Sequence, residues 1–172
     1  MQPPSAKRIG VPAKLAALSD EDLILLRAKL RAEMRKRGIA DSVGAVGEQL
    51  AIEHFRKTPG LPKLQMAPRG TKNVDALSRN GDRFSIKTVC EGSKTGTIYP
   101  ETEDREKQLF EHMLIVKLAE DWSLESIHQL PWTGFVKARS WDKRMNAWYV
   151  AFNKRALAPA DVIFSAAKPS NR

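Results

Sequence analysis

Residues 74–89, VDALSRNGDRFSIKTV, constrain the fold more than any other stretch of this chain. Two runs of alternating character flank Asn80-Gly81, a dipeptide suited to tight chain reversal. Side chains alternate between faces along a strand, so Val74, Ala76 and Ser78 share one face of the first run, and Asp75 and Leu77 the other. On the second run Phe84, Ile86 and Thr88 share a face, opposite Arg83, Ser85, Lys87 and Val89. Val74, Ala76, Phe84 and Ile86 make a natural core face, which leaves Asp75 and Lys87 together on the reverse side. Loop length decides whether the two faces agree. A two-residue turn would pair Asp75 with Ile86 and carry the carboxylate into the core. A three-residue loop, 79–81, pairs Ser78 with Asp82 and Asp75 with Ser85, and both apolar sets then face inward. The second register is predicted, with Gly81 left-handed in a G1 bulge.

Two helices are expected before this hairpin. Over residues 19–38, Ser19 is an N-cap and Asp20, Glu21 and Asp22 crowd the first turn. Leu23, Leu26, Leu30 and Met34 form one apolar stripe, Arg35, Lys36 and Arg37 fill the last turn, and Gly38 supplies the stop. The second helix covers about 42–57. On its wheel Glu48 falls inside the arc of Ala51, Ile52 and Phe55, whereas Gln49 and Glu53 fall on a polar flank. A carboxylate among apolar neighbours is costly unless something compensates its charge. That singles out Glu48, either for chemistry or for a pairing with an arginine. A strand over 63–67 and a turn-rich connector from Arg69 to Asn73 lead into the hairpin.

The order helix, strand, hairpin, with Glu48 on the helix, Asp75 after a turn and Ser85-Ile86-Lys87 on the next strand, resembles the PD-(D/E)XK nuclease superfamily. That superfamily includes restriction endonucleases, Holliday-junction resolvases and repair nucleases. The match covers roughly residues 43–118, continuing through a helix and a strand. The resemblance implies an α/β, restriction-endonuclease-like fold, with a mixed central sheet flanked by helices and an N-terminal helical extension. It implies Asp75, Glu48, Lys87 and Ser85 as the catalytic set. Asp75, Glu48 and the Ile86 backbone carbonyl would hold Mg²⁺ or Mn²⁺, hard cations that take oxygen ligands. Lys87 would orient the attacking water and exchange a proton with it. Ser85 departs from the family pattern, which usually has Glu, Asp or Gln there, and a neutral hydroxyl is a poorer ligand. Two readings therefore stay open. One is a metal-dependent DNA endonuclease, in restriction, phage defence or repair. The other is a nuclease-fold protein that binds nucleic acid without cutting it, as an accessory or regulatory subunit. Without either, Asp75 and Lys87 are a cross-strand ion pair on a surface hairpin.

The remaining sequence supplies a polyanion-binding character. The net charge is +9, which favours a polyanionic partner: DNA, RNA or an acidic membrane surface; the nuclease resemblance implies DNA first, with RNA as the alternative. Arg69 and Lys72 precede the site; Lys94 and Thr95 sit in a small-residue loop after it. That loop lacks P-loop spacing, so ATP binding is not implied. Lys137, Arg139, Lys143 and Arg144 interleave with tryptophans in the C-terminal half, an arrangement that suits phosphate contact and base stacking, or simply a tryptophan core. Helices are expected over 104–111, 133–141 capped by Thr133, and beyond Asn153. Strands are expected over 112–118, 123–130 and 146–152. The histidines and the single Cys90 have no zinc spacing. No apolar run reaches the roughly 18 residues of a membrane span, and no export signal is read at the start, so a cytoplasmic protein without membrane contact is expected. The expected organisation is a flexible basic tail (1–18), an amphipathic helix (19–40) offering a homodimer interface, a nuclease-like domain (41–165) and a C-terminal tail (166–172).

Overall fold

The computed structural model describes residues 13–166. The expected N-terminal tail lies outside the described residues as far as 12. Beyond that, Ala13–Ala16 makes one helical turn, α1. The expected C-terminal tail lies outside them from 167 onward.

Helix α2 covers Asp20–Lys36 and starts where its cap dictates: the Ser19 hydroxyl oxygen accepts from the Asp22 amide at 3.2 Å. It ends at Gly38, whose φ of +67° suits glycine and whose amide donates to the Arg35 carbonyl. Helix α3, Val43–Lys57, begins at Ser42, whose hydroxyl oxygen accepts from the Ala45 amide. It buries Gly47, Ala51, Ile52 and Phe55, and leaves Gln49 and Glu53 exposed.

The strands β1 (Leu64–Met66), β2 (Ala76–Ser78), β3 (Arg83–Val89), β4 (His112–Leu118) and β5 (Leu124–Pro131) follow. Next come α4 (Trp132–Ala138), the hairpin β6 (Arg139–Asp142) and β7 (Ala147–Val150), and β8 (Asp161–Ser165). Six strands form one mixed sheet in the order β1-β2-β3-β4-β5-β8, with β3 and β4 parallel and every other pair antiparallel. Strand β4 is central, and its run Met113, Leu114, Ile115 and Val116 is wholly buried, as a strand covered on both faces requires. One face carries Ala76, Phe84, Ile86, Leu114 and Val116 against Ala51, Ile52 and Phe55 of α3. The other carries Val89, Met113 and Ile115 against Phe110, Phe135 of α4 and Val150 of β7. This is an α/β fold with a mixed sheet and helices packed on it.

The hairpin has the predicted register. Ala76 pairs with Phe84 and Leu77 with Arg83. Around the loop 79–81, the Ser78 amide donates to the Asp82 carbonyl and the Gly81 amide to the Ser78 carbonyl, with Gly81 at φ +90°. The first strand is shorter than expected, however. Its ladder stops at Ala76, and the Asp75 amide donates to the Phe84 carbonyl at 2.8 Å, one residue out of step.

Three expectations fail. Residues 104–111 form turns, with the Lys107 amide on the Asp104 carbonyl, so no helix lies in the crossover between β3 and β4. Only Leu109 and Phe110 there are buried, side by side, so no helical stripe exists to stabilise a helix. Thr133 is not a cap: α4 starts after Pro131 and ends at Ala138, because Arg139 turns extended to pair with Val150. Beyond Asn153, whose side-chain oxygen accepts from the Ala156 amide, the chain makes one turn and returns as edge strand β8.

Candidate active site

The site forms where β2 ends and β3 continues. With the ladder stopped at Ala76, the Ile86 amide takes a side-chain partner: it donates to Asp75 Oδ2 at 2.6 Å. Ser85, fully buried, donates its hydroxyl to the same oxygen at 3.4 Å. Lys87 Nζ stands 3.8 Å from it, too far for a short hydrogen bond but close enough for strong attraction between two groups each about one-fifth exposed. Asp75 is therefore fixed by backbone and hydroxyl donors, while Lys87 keeps its own donors free of a tight bond.

Glu48 joins them from α3. The helix approaches β3 closely at Gly47, beside Thr88, whose hydroxyl donates to the Gly44 carbonyl at 3.3 Å. Glu48 is half-buried at this crossing. Its carboxyl is held above the ordinary carboxylate range, first by burial and then by the charge of Asp75, with Lys87 pulling the other way. The charges of Asp75 and Lys87 thus act on Glu48 in opposite senses, on top of the larger effect of its burial. Among the described residues no group of three or more His, Cys, Asp or Glu side chains is placed to hold a metal. Two carboxylates with a backbone carbonyl nevertheless suit Mg²⁺, which keeps several waters and binds through one or two carboxylates.

The eight predicted nucleic-acid contacts divide. Arg69 and Lys72 are exposed on the turn just before Asp75, with Lys72 3.6 Å from Glu101. Lys143 and Arg144 are exposed at the β6–β7 tip, and Lys137 is exposed on α4. Lys94 lies beside that hairpin, 3.2 Å from Asp142 and 4.7 Å from the centre of the Tyr149 ring. Thr95 and Arg139 are committed to the fold. Thr95 is buried, and its hydroxyl oxygen accepts from the Val150 amide at 3.0 Å. Arg139 is 8% exposed, pairs with Glu106 and stacks 4.0 Å over Trp148, which packs edge-on against Trp141. Trp141 and Trp148 are thus both partly buried and packed against each other on the hairpin.

One feature near the site escaped the sequence reading. Asn73, at φ +59°, donates its side-chain amide to the Tyr99 carbonyl at 3.0 Å, tying the segment that carries Asp75 to the crossover. Lys72, Tyr99, Glu101, Arg105 and Asn146 line a shallow cleft of about 250 Å³ there. An asparagine tolerant of left-handed backbone two residues before Asp75 was the available signal. Among the described residues no helix is long and apolar enough to cross a membrane. No protein-family model and no curated protein sequence matches this chain.

Proposed function

We propose that this chain is a Mg²⁺- or Mn²⁺-dependent DNA endonuclease of the PD-(D/E)XK type, with a restriction-endonuclease-like core, acting in the cytoplasm. One observation carries the reading: Asp75 and Lys87 stand 3.8 Å apart at the open end of β2. In this reading Asp75, Glu48 and the Ile86 carbonyl would hold the cation. Such a cation would neutralise charge on the scissile phosphate and help activate water. Lys87 orients the attacking water and exchanges its proton. The Ile86 amide and Ser85 hydroxyl keep Asp75 aimed, so Ser85 acts as a positioning residue instead of the usual acidic ligand. Arg69, Lys72, Lys143 and Arg144 supply phosphate contacts around it.

A second reading rests on Ser85 itself. Its burial and its bond to Asp75 leave the site one carboxylate short of the family pattern, which favours a fold that grips nucleic acid without cutting it. Nicking of supercoiled plasmid with Mg²⁺ separates the two, using wild type, Asp75→Ala and Lys87→Ala. Cleavage lost in both variants supports the nuclease. Equal cleavage by all three contradicts it, and salt-sensitive binding with no cleavage by wild type supports the binder.

A further inference from the structure

Helix α2 is the least explained element of the molecule. None of its residues is buried, and Leu23, Ile24, Leu25, Leu26 and Leu30 expose 40%, 68%, 54%, 41% and 58% of their surface. An isolated helix of this length is marginal in water, and its caps do not remedy that alone. Leu23, Leu26, Leu30 and Met34 form a stripe of about 80° at 100° per residue, with Ile24 and Leu25 exposed outside it. Exposed leucines at three- and four-residue steps suit pairing with another helix. Charge then selects the partner. The first turn holds Asp20, Glu21 and Asp22, and the last turn holds Arg35 and Lys36, followed by Arg37.

We infer that α2 pairs antiparallel with α2 of a second copy of this chain. This arrangement sets the acidic first turn of each helix against the basic last turn of the other, and opposes the two helix dipoles. A parallel pair would stack acid on acid and base on base. Centred on Ala28, the antiparallel register places Leu26 of one copy against Leu30 of the other, and Leu23 against Glu33, next to Met34. Arg31 donates two hydrogen bonds of 3.0 and 2.9 Å to Asp41, an exposed pair that links the helix to the segment before α3. The inference concerns assembly and does not depend on the site being a nuclease.

Light scattering on the full chain tests it. The wild type runs at twice the 19.3 kDa chain mass, and a Leu26→Glu/Leu30→Glu chain runs at the single mass. Near-UV dichroism of the tryptophans, all beyond residue 121, stays unchanged if the domain remains folded. Orientation is read by oxidation in a Cys90→Ser background. A mixture of Leu23→Cys and Met34→Cys chains cross-links, whereas neither alone does. A wild type that is monomeric at about 100 µM, where a micromolar dimer is nearly saturated, overturns the inference. So does a dimer that survives the double glutamate variant, or cross-linking within each cysteine variant alone.

Discussion

Gly47 holds α3 against β3 and thereby brings Glu48 to the site. A β-carbon at position 47 would meet Thr88 at 2.0 Å from Oγ1, 2.7 Å from Cγ2 and 2.9 Å from Cβ. Rotating the Thr88 side chain can clear only one of the first two contacts, because Oγ1 and Cγ2 fill two of its three staggered positions. It leaves the third, because Cβ stays with the backbone. The Thr88 hydroxyl is also engaged with the Gly44 carbonyl. In Gly47→Ala the helix and strand must therefore separate. Two effects compete. Alanine favours helix over glycine by about 1 kcal/mol, and forced overpacking costs about 1–3 kcal/mol, more when backbone must move. A net loss of about 1–2 kcal/mol is expected, roughly 2–8 °C in Tm for a domain of this size. Gly44, on the same helix, has nothing within 4 Å of an added β-carbon. Gly44→Ala should be neutral or stabilise by up to about 1 kcal/mol. Urea unfolding followed by tryptophan fluorescence compares the two. Adding Thr88→Ala to Gly47→Ala should recover part of the loss, since two of the three contacts vanish. Equal stabilities for Gly44→Ala and Gly47→Ala would refute the close approach and, with it, the way Glu48 is positioned.

Other consequences follow from the same contacts. Glu111 accepts from the Arg83 amide, Nε and Nη2, and hydrogen bonding to Arg83 holds its carboxyl down to about 2. A depressed folded pKa gives stability that is present above the ordinary value and lost as pH falls from 4.5 toward 2. Both side chains are about one-third exposed (39% and 31%), so Glu111→Gln should cost only about 1 kcal/mol at pH 7. Denaturant titrations should show that gap closing near the acid limit. Glu48 has the opposite sign: its raised pKa gives stability present below the ordinary value and lost as pH rises through the folded pKa. Glu48→Gln should therefore stabilise the metal-free protein at neutral pH, not at pH 4, and should abolish any Mg²⁺-induced rise in Tm. Scanning fluorimetry with and without the cation checks both parts; a lower neutral-pH Tm would contradict the sign. Gly81→Ala forces a β-carbon into a residue at φ +90°, and should cost about 1–2 kcal/mol by thermal unfolding. An unchanged Tm would mean the loop adopts another turn.

What the sequence disclosed depends on how local the determining physics is. Both long helices were legible because Ser19, Ser42 and Gly38 mark their ends and 3.6-residue stripes fill them. The register around Gly81 was legible because only an odd loop turns Ala76, Phe84 and Ile86 to one side. The bounds of β3 and β4 emerged from continuous or alternating apolar runs. The segment 104–111 misled because its charges suit a helix, while two adjacent buried residues, Leu109 and Phe110, require an extended path. Arg139 reads as a phosphate contact in sequence, but Glu106, 33 positions earlier, and Trp148 claim it in the fold. Thr95 is captured likewise by Val150. Long-range partners of this kind have no local signature. Strand alternation put Asp75 and Lys87 on one face, and they stand 3.8 Å apart, although Asp75 precedes β2 and its predicted pairing with Ser85 does not form. The bond from the Ile86 amide was not legible, because it exists only where β2 stops early.

The most direct test of the central claim separates grip from chemistry at Lys87. Binding of a short DNA duplex is measured in Ca²⁺, and cleavage in Mg²⁺, for wild type and Lys87→Ala. On the proposed reading Lys87 acts on the attacking water and contributes one charge among many to binding. The variant should thus bind with nearly wild-type affinity while its cleavage rate falls about 10²–10⁴-fold. Lys87→Ala cleaving at the wild-type rate would contradict the account.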